Sequence, residues 1–402
     1  MNILVVSQYY PPEPGAPSNR VAAFVEAMVK REHRVTVICE FPNYPSGRLA
    51  PQDRWRLFRV EKNGGYRIIR TFVLTFEHKN NIKRMLYYLS FALSSFVVSL
   101  FLKRHDVVFT SSPPIFHACM AMLTSKLKRA RFVVDIRDLW PDTVAKFEAV
   151  ENKRMLKWGR RLERGLYRNA CIILTVSAGL ANAIGQRGGS GKTSICYNGT
   201  DENILNWHRP SGLVDGNKVV VLYAGIIGLG QNLVSLVPHV LQLESNNVKF
   251  SFIGNGPQKN MLENELRQRR SNALTLSGIS REEVIPYLCG ADILMVVLRE
   301  DDFFRSAIPS KFFDYMAAGK PIVSNVDGEL REIMETYNTG IYFSLRQEGS
   351  FQAAIERLAN DPELRRQMGE NGRKLVREKF LRSKLADEAV RTIEETIARG
   401  RV

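Results

Sequence analysis

Ser310, Lys311 and Asp314 are the residues in this chain best placed by type and spacing to hold a diphosphate and a sugar diol together. They lie in the stretch Ile308–Ser324, IPSKFFDYMAAGKPIVS. Pro309 and Ser310 stand just before an apolar run, which signals a helix start. A helix over Lys311–Ala318 must stop at Gly319, and Pro321-Ile-Val then reads as a buried strand. The first turn of such a helix leaves backbone N–H groups unpaired at the positive end of its dipole, a place suited to an anionic oxygen. Lys311 adds a full charge there, and Asp314, one turn on, could accept hydrogen bonds from sugar hydroxyls. An ordinary helix–strand corner with a solvated lysine and aspartate would read the same way.

A second cluster is Asp135-Ile-Arg-Asp-Leu-Trp-Pro-Asp142. Arg137 and Asp138, with Asp135, sit at the carboxyl end of a strand beside a tryptophan. That is either a reaction centre or a structural ion pair closing a loop. Glycines follow three other strands: Gly15 after Ile3–Val6, Gly225 after Val219–Tyr223, and Gly256 after Lys249–Ile253. A strand, a glycine turn and a helix start make a phosphate cradle, and the Gly225 loop is expected to open a helix. Gly228-Leu-Gly-Gln-Asn-Leu lacks the third glycine of a dinucleotide fingerprint. Gly188-Gly-Ser-Gly-Lys-Thr-Ser is no phosphate loop, because Gln186 stands where the first glycine is needed and a strand follows; it reads as a mobile surface loop.

The elements that must position these groups alternate between strand and helix. Ile3–Val6, a helix near Ser18–Arg31 and Val35–Cys39 form a βαβ unit, so a parallel sheet follows. Further strands are expected at Tyr66–Phe72, Val107–Thr110, Phe132–Arg137 and Cys171–Val176. A second series restarts at Val219–Tyr223 and runs through Leu274–Leu276 and Asp292–Leu298. A chain of 402 residues holds two such domains. They are expected at 1–200 and 217–380, with Trp207–Asn217 as linker.

Charge divides with them. Residues 1–200 hold 31 Lys and Arg against 14 Asp and Glu, a net +17, while residues 201–402 hold 26 against 27. The first domain therefore asks for an anionic partner: a membrane surface, a pyrophosphate lipid or a nucleic acid. The five cysteines show no ligand spacing and read as reduced core thiols. Met1-Asn-Ile-Leu-Val-Val-Ser reads as a first strand rather than a leader. Met85–Leu102 is 18 residues without a charge, with Lys83-Arg84 and Lys103-Arg104 at its ends. Its serines Ser90, Ser94, Ser95 and Ser99 share one helical face. A span would split the βαβ domain, so the choice is a core helix or one lying in the plane of a membrane. Lys153–Arg168 is a basic helix whose Arg160, Arg161 and Arg164 face either solvent or lipid phosphate.

P-S-K-x-x-D-Y-M-A-A-G-K-P-I resembles the donor-site signature of the retaining family-4 glycosyltransferases. Within that family it is most similar to the N-acetyl-L-fucosamine transferases of bacterial O-antigen and capsule synthesis. D-I-R-D-L-W-P is similar to that subgroup's acceptor-side motif, and Asn198-Gly-Thr-Asp201 resembles the segment that closes the family's first domain. The resemblance implies a GT-B fold, two Rossmann-like α/β domains facing across a cleft, with the last helix, 383–399, crossing back onto the first. It implies transfer from a nucleotide-sugar donor, UDP-linked, to a lipid-linked saccharide acceptor at the cytoplasmic face of an anionic bacterial inner membrane, with no metal, cofactor or nucleic acid. Carried over residue by residue, Gly15, Gly225, Gly256, Ile279, Ser310, Lys311 and Asp314 are expected to bind the donor, Ile279 at its base. Arg137, Asp138 and Lys311 are the expected catalytic residues. The chain departs from the family pattern at Ile226 and Gln231, where many members carry Arg and Lys; Lys311 could supply that charge. Ser306 and Asp314 fall where the family has paired glutamates, and a histidine common near Arg137 and Asp138 is replaced. A UDP-sugar 2-epimerase of the same fold, or a basic nucleic-acid binder, would share several of these features.

Overall fold

The computed structural model describes residues 1–43, 46–77, 80–147, 153–207, 218–244, 247–277 and 279–399. They divide into two compact units, Met1–Tyr197 with Ser383–Val402, and Asn198–Arg382. The expected linker falls almost wholly on 208–217, which lie outside the described residues, as does Gly278.

The first unit is built on one eight-stranded sheet. Its strands are β1 (Asn2–Val6), β2 (Arg34–Glu40), β3 (Phe58–Asn63), β4 (Tyr66–Thr71), β5 (Val107–Ser112), β6 (Arg131–Ile136), β7 (Ile172–Thr175) and β8 (Thr193–Ile195). They lie in the order β3-β4-β2-β1-β5-β6-β7-β8, all parallel except the β3–β4 hairpin. Both faces are covered, so the strands are apolar at nearly every position. Ile3 and Val5 pack on one face with Phe24 and Val25, Leu4 and Val6 on the other with Ile115 and Ala118. The order reverses between β1 and β5, and parallel sheets bind ligands outside the carboxyl ends of strands at such a point. The loop bearing Gly15 leaves β1 there.

The last helix, Arg382–Arg399, contributes Leu385, Ala386, Ala389, Val390, Ile393 and Ile397 to the first unit's core. Arg31 clasps it from outside, donating to Glu394 at 2.6 Å and Asp387 at 3.2 Å. Asn198–Asp201, expected to close the first domain, instead packs within the second unit. Thr200 bridges Leu381 and its hydroxyl donates to Asp314 at 2.6 Å, while Arg382 holds Asp201 at 2.6 Å.

The second unit has six parallel strands: β9 (Val219–Ala224), β10 (Val248–Ile253), β11 (Leu274–Leu276), β12 (Ile293–Val296), β13 (Ile322–Ser324) and β14 (Gly340–Tyr342). Their order, β11-β10-β9-β12-β13-β14, reverses between β9 and β12. The glycine loop after β9 and the segment after β12, which ends in the helix Ser310–Ala318, flank that reversal.

The uncharged stretch forms the helix Asn81–Phe101, the crossover between β4 and β5. Its serines face inward: Ser94 donates to the Phe72 carbonyl at 2.6 Å, and Ser99 meets Thr124 at 2.8 Å on the helix Ile115–Leu127. Its leucines face outward, Leu93 62% exposed and Phe101 86%. The core-helix expectation therefore fails for this face, because only its serine side has protein against it. The helix is long and apolar enough to cross a membrane by length and composition, but it connects two strands of one sheet and packs against the helix Ile115–Leu127. Of Gly188–Ser194, read from sequence as a mobile surface loop, Gly188 and Gly189 end the helical turn Gly185–Gly189, with Gly189 buried against Ile184 and Ile173, and Thr193 and Ser194 lie in β8.

The packing of the last helix gives a direct expectation. Ile393→Ala should destabilise the protein by about 2–5 kcal/mol, the usual range for truncating a buried aliphatic side chain. Urea denaturation followed by the first unit's spectroscopic signal measures it, and a loss near zero would remove this helix from the core.

Candidate active site

The helix Ser310–Ala318 begins where sequence places it. Pro309 stands at its N-cap position, no side chain caps its first turn, and Gly319 ends it with a left-handed φ of 74°. A prolyl N-cap has no side-chain oxygen to offer; the Phe312 N–H turns back to the Pro309 carbonyl at 2.9 Å, which leaves the N–H groups of Ser310 and Lys311 for an anion. Phe312, Phe313, Tyr315 and Met316 are buried and fix the helix to the sheet. Tyr315 adds a polar clamp. Its hydroxyl accepts from the Ala224 N–H and donates to the Ala224 carbonyl, both at 2.9 Å, pinning the helix to the end of β9.

That clamp sets Lys311. Its stem is partly exposed, but its Nζ is sealed from solvent and has no hydrogen-bond partner. The ammonium lies 3.8 Å from the centroid of the Tyr223 ring, a cation–π contact that offsets only part of its desolvation. Burial lowers its pKa from 10.5 to about 7, with Asp314 pulling the other way. Asp314 itself is held by Thr200, so one of its carboxylate oxygens is committed within the protein.

The glycine loops pack closely on Lys311 and on each other. Gly225 donates its N–H to the Ile253 carbonyl at 2.8 Å, and Ile227 to Asn255 at 2.9 Å, so these amides are already used. What Gly225 contributes is space, since a Cβ there would stand 2.5 Å from Lys311 Nζ. Gly256 likewise lets the next loop close against the backbone of Ile227, whose carbonyl a Cβ would overlap. The α-helix expected directly after the Gly225 loop starts later, at Val237, behind a 3-10 turn at Leu233–Leu236. Of the two expected phosphate cradles in this unit, the start of the Ser310 helix lacks a side-chain cap, while the Gly225 turn has the amides of Gly225 and Ile227 engaged. Ile226, where many family members carry a charge, is 65% exposed and apolar. Ile279, the expected base contact, follows the edge strand β11, two strands from β9.

In the first unit the D-I-R-D residues separate by role. Asp135 is fully buried in a two-pronged ion pair with Arg20 and also accepts from Ser111 at 2.8 Å. It is structural, and removing either partner would strand a buried charge. Arg137 donates to Ser111 Oγ at 3.0 Å and to the Pro113 carbonyl, both neutral oxygens, and burial lowers its pKa. Asp138 accepts from the Thr143 hydroxyl at 2.7 Å, and burial raises its pKa. Gly15 stands at the N-cap of the helix Ala16–Lys30, again without a side-chain cap.

One group escaped the sequence reading. Glu40 ends β2 fully buried, holding hydrogen bonds from Gln8 at 2.8 Å, Asn43 at 2.9 Å and the Tyr87 hydroxyl. Burial, with Glu13 nearby, raises its pKa to about 8. Polar residues directly following the apolar strands β1 and β2 were the available signal. Among the described residues no cluster of His, Cys, Asp and Glu could hold a metal ion.

Comparison with known proteins places this geometry. Residues 18–204 match the family model described as Glycosyltransferase Family 4, and residues 206–375 that described as Glycosyl transferases group 1. The chain is 25% identical to the putative colanic acid biosynthesis glycosyl transferase WcaI of Escherichia coli K12, over 84% of this chain and 86% of that one. Among solved structures, sucrose-phosphate synthase from Thermosynechococcus elongatus superimposes with a TM-score of 0.76 at 16% identity, over 99% and 100% of the two chains. HepE from Anabaena in complex with UDP gives a TM-score of 0.68 at 14% identity, over 98% and 100%.

The sealed ammonium makes stability depend on pH in a defined sense. Below pH 7 Lys311 is charged in both states and the folded chain bears the whole desolvation cost. Between 7 and 10.5 the unfolded chain alone takes up the proton, so the cost shrinks as pH rises and is gone above 10.5. Lys311→Met should therefore melt higher than the native chain at pH 6.5, with the gap closing toward pH 10. Parallel melting curves across that range would contradict the burial of Nζ.

Proposed function

From a chain that belongs to the GT-B glycosyltransferases of family 4 and group 1, we propose an enzyme that moves a sugar, with retention, from a UDP-linked donor to a polyprenyl-diphosphate-linked saccharide. The product would enter a surface polysaccharide such as O-antigen or capsule. The observation that carries the reading is the sealed, unpartnered Lys311 ammonium at an uncapped helix start. A buried unpaired cation is costly and calls for an anion to complete it. A nucleoside diphosphate supplies one, and as leaving group it gains charge in the transition state, where a fixed cation and backbone dipole act most strongly. The UDP held by HepE and the colanic acid role in the name of WcaI support the donor and the pathway class. N-acetyl-L-fucosamine is the sugar that the P-S-K and D-I-R-D-L-W-P motifs favour.

In this mechanism Ser310 N–H and Lys311 hold the diphosphate and Asp314, one turn on, meets the ribose. The leaving phosphate takes the acceptor's proton, so no separate base is required. Arg137 and Asp138, at the carboxyl edge of the first unit's sheet, orient the acceptor. Peripheral binding to the cytoplasmic face of the inner membrane fits the helix Asn81–Phe101, whose outward leucines lie between basic pairs. An exposed apolar stripe flanked by cations suits an anionic bilayer better than a nucleic acid.

Lys311→Ala should weaken UDP binding and slow transfer together, each by roughly ten- to a hundredfold, about 1.4–2.7 kcal/mol. Unchanged UDP affinity and turnover would remove the assignment. Asp138→Asn should slow transfer while leaving UDP affinity intact; full activity in that variant would reduce Asp138 to a loop-closing residue. Leu93→Asp with Phe101→Asp should leave the fold intact, since both side chains are exposed, and abolish flotation with anionic vesicles. A double variant that floats as well as the native chain would detach this helix from the membrane.

A further inference from the structure

A second concavity lies in the first unit, formed by the segments that leave the carboxyl ends of β2 and β4. Its walls are the stretches 47–55 and 72–77, and it reaches Lys83 in the first turn of the helix Asn81–Phe101. Its volume is about 710 Å³, inside the roughly 300–1,000 Å³ range of ligand sites. The walls are fixed to each other, since Gly47 approaches the Phe76 carbonyl so closely that a Cβ would overlap it. Of its lining residues, Val73, Leu49 and Phe76 pack with Tyr87 and Phe91 of the helix Asn81–Phe101, which ties the groove to that helix.

The lining pairs apolar groups with cations. Trp55 is 93% exposed and Leu74 is 40% exposed, so packing within the unit explains neither. Arg54 and Lys83 are exposed at the same groove and, among the described residues, form no ion pair. An apolar trough that begins at an exposed apolar helix and carries Arg54 and Lys83, the latter 5.9 Å from the centre of the Phe76 ring, beside the exposed Arg48–Glu77 pair, matches a long hydrocarbon chain ending in diphosphate. Tyr87, which packs with the lining residue Val73, donates its hydroxyl to Glu40.

We propose that the groove binds the isoprenoid chain of the acceptor, with Trp55 and Leu74 against the chain and Arg54 and Lys83 on its diphosphate. The inference rests on the lipid-linked acceptor proposed above and adds where that lipid is held. It also assigns the enzyme's choice of lipid length to the first unit.

Farnesyl diphosphate, below its micelle concentration, is the probe, and calorimetry without donor or turnover is the readout. The native chain should bind it at least tenfold more tightly than inorganic pyrophosphate. Trp55→Ser with Leu74→Ser should lose at least tenfold in that affinity at an unchanged melting temperature, and Trp55→Phe should keep it. Arg54→Ala with Lys83→Ala should lose affinity for farnesyl diphosphate while its affinity for UDP stays native. Equal affinity for pyrophosphate and farnesyl diphosphate, or native affinity in the Trp55/Leu74 variant, would overturn the proposal. So would sedimentation showing that Trp55 and Leu74 join two copies of the chain. Because no transfer is measured, the groove is tested apart from the reaction.

Discussion

A lysine ammonium held out of water beside a tyrosine ring, with no hydrogen-bond partner, is the constraint around which the second unit is arranged. Such a group is tolerated only where the surrounding structure leaves it no exit. Here three features supply that. Four buried side chains anchor the Ser310 helix, the Tyr315 hydroxyl clamps it to Ala224, and the missing side chain of Gly225 leaves the pocket into which Nζ reaches. Each is ordinary by itself. Together they hold a cation beside an open helix N-terminus at the point where strand order reverses, so that dipole, charge and sheet topology converge.

The first unit solves a different problem. Its own buried charges are closed off: Asp135 by Arg20 and Ser111, Glu40 by a carboxamide pair and a tyrosine. What it leaves open is surface. The helix Asn81–Phe101 inverts the usual arrangement, placing serines against the protein and leucines toward solvent. In the function proposed above, that unit, with the basic excess concentrated in residues 1–200, is the acceptor domain and the second the donor domain.

Much of this was legible in the chain itself. The Ile308–Ser324 corner could be read because proline, serine, glycine and the closing apolar run are local signals. The parallel strands could be read because doubly covered strands are continuously apolar. The antiparallel strand Phe58–Asn63 went unread, being polar at alternate positions and on a sheet edge, although Asn63-Gly-Gly marks its hairpin turn, both glycines at positive φ. The sealing of Lys311 could not be read, since Tyr223 and Gly225 come from a strand some ninety residues earlier. Asp135 looked as reactive as Asp138 for the same reason: its partner, Arg20, is 115 residues away. That the Gly225 turn engages the amides of Gly225 and Ile227 on the neighbouring loop could not be read either, since spacing alone does not reveal the pairing.

The central claim is that a nucleoside diphosphate completes the charge of Lys311. Titration calorimetry of UDP at pH 8, repeated in buffers of different ionisation enthalpy, tests it most directly. A lysine near pKa 7 when free must be largely neutral at pH 8 and must regain its proton beside the phosphates. The account predicts uptake of close to one proton per UDP bound, lost in Lys311→Met. UDP binding at pH 8 with no proton uptake, or with the same uptake in that variant, would contradict it.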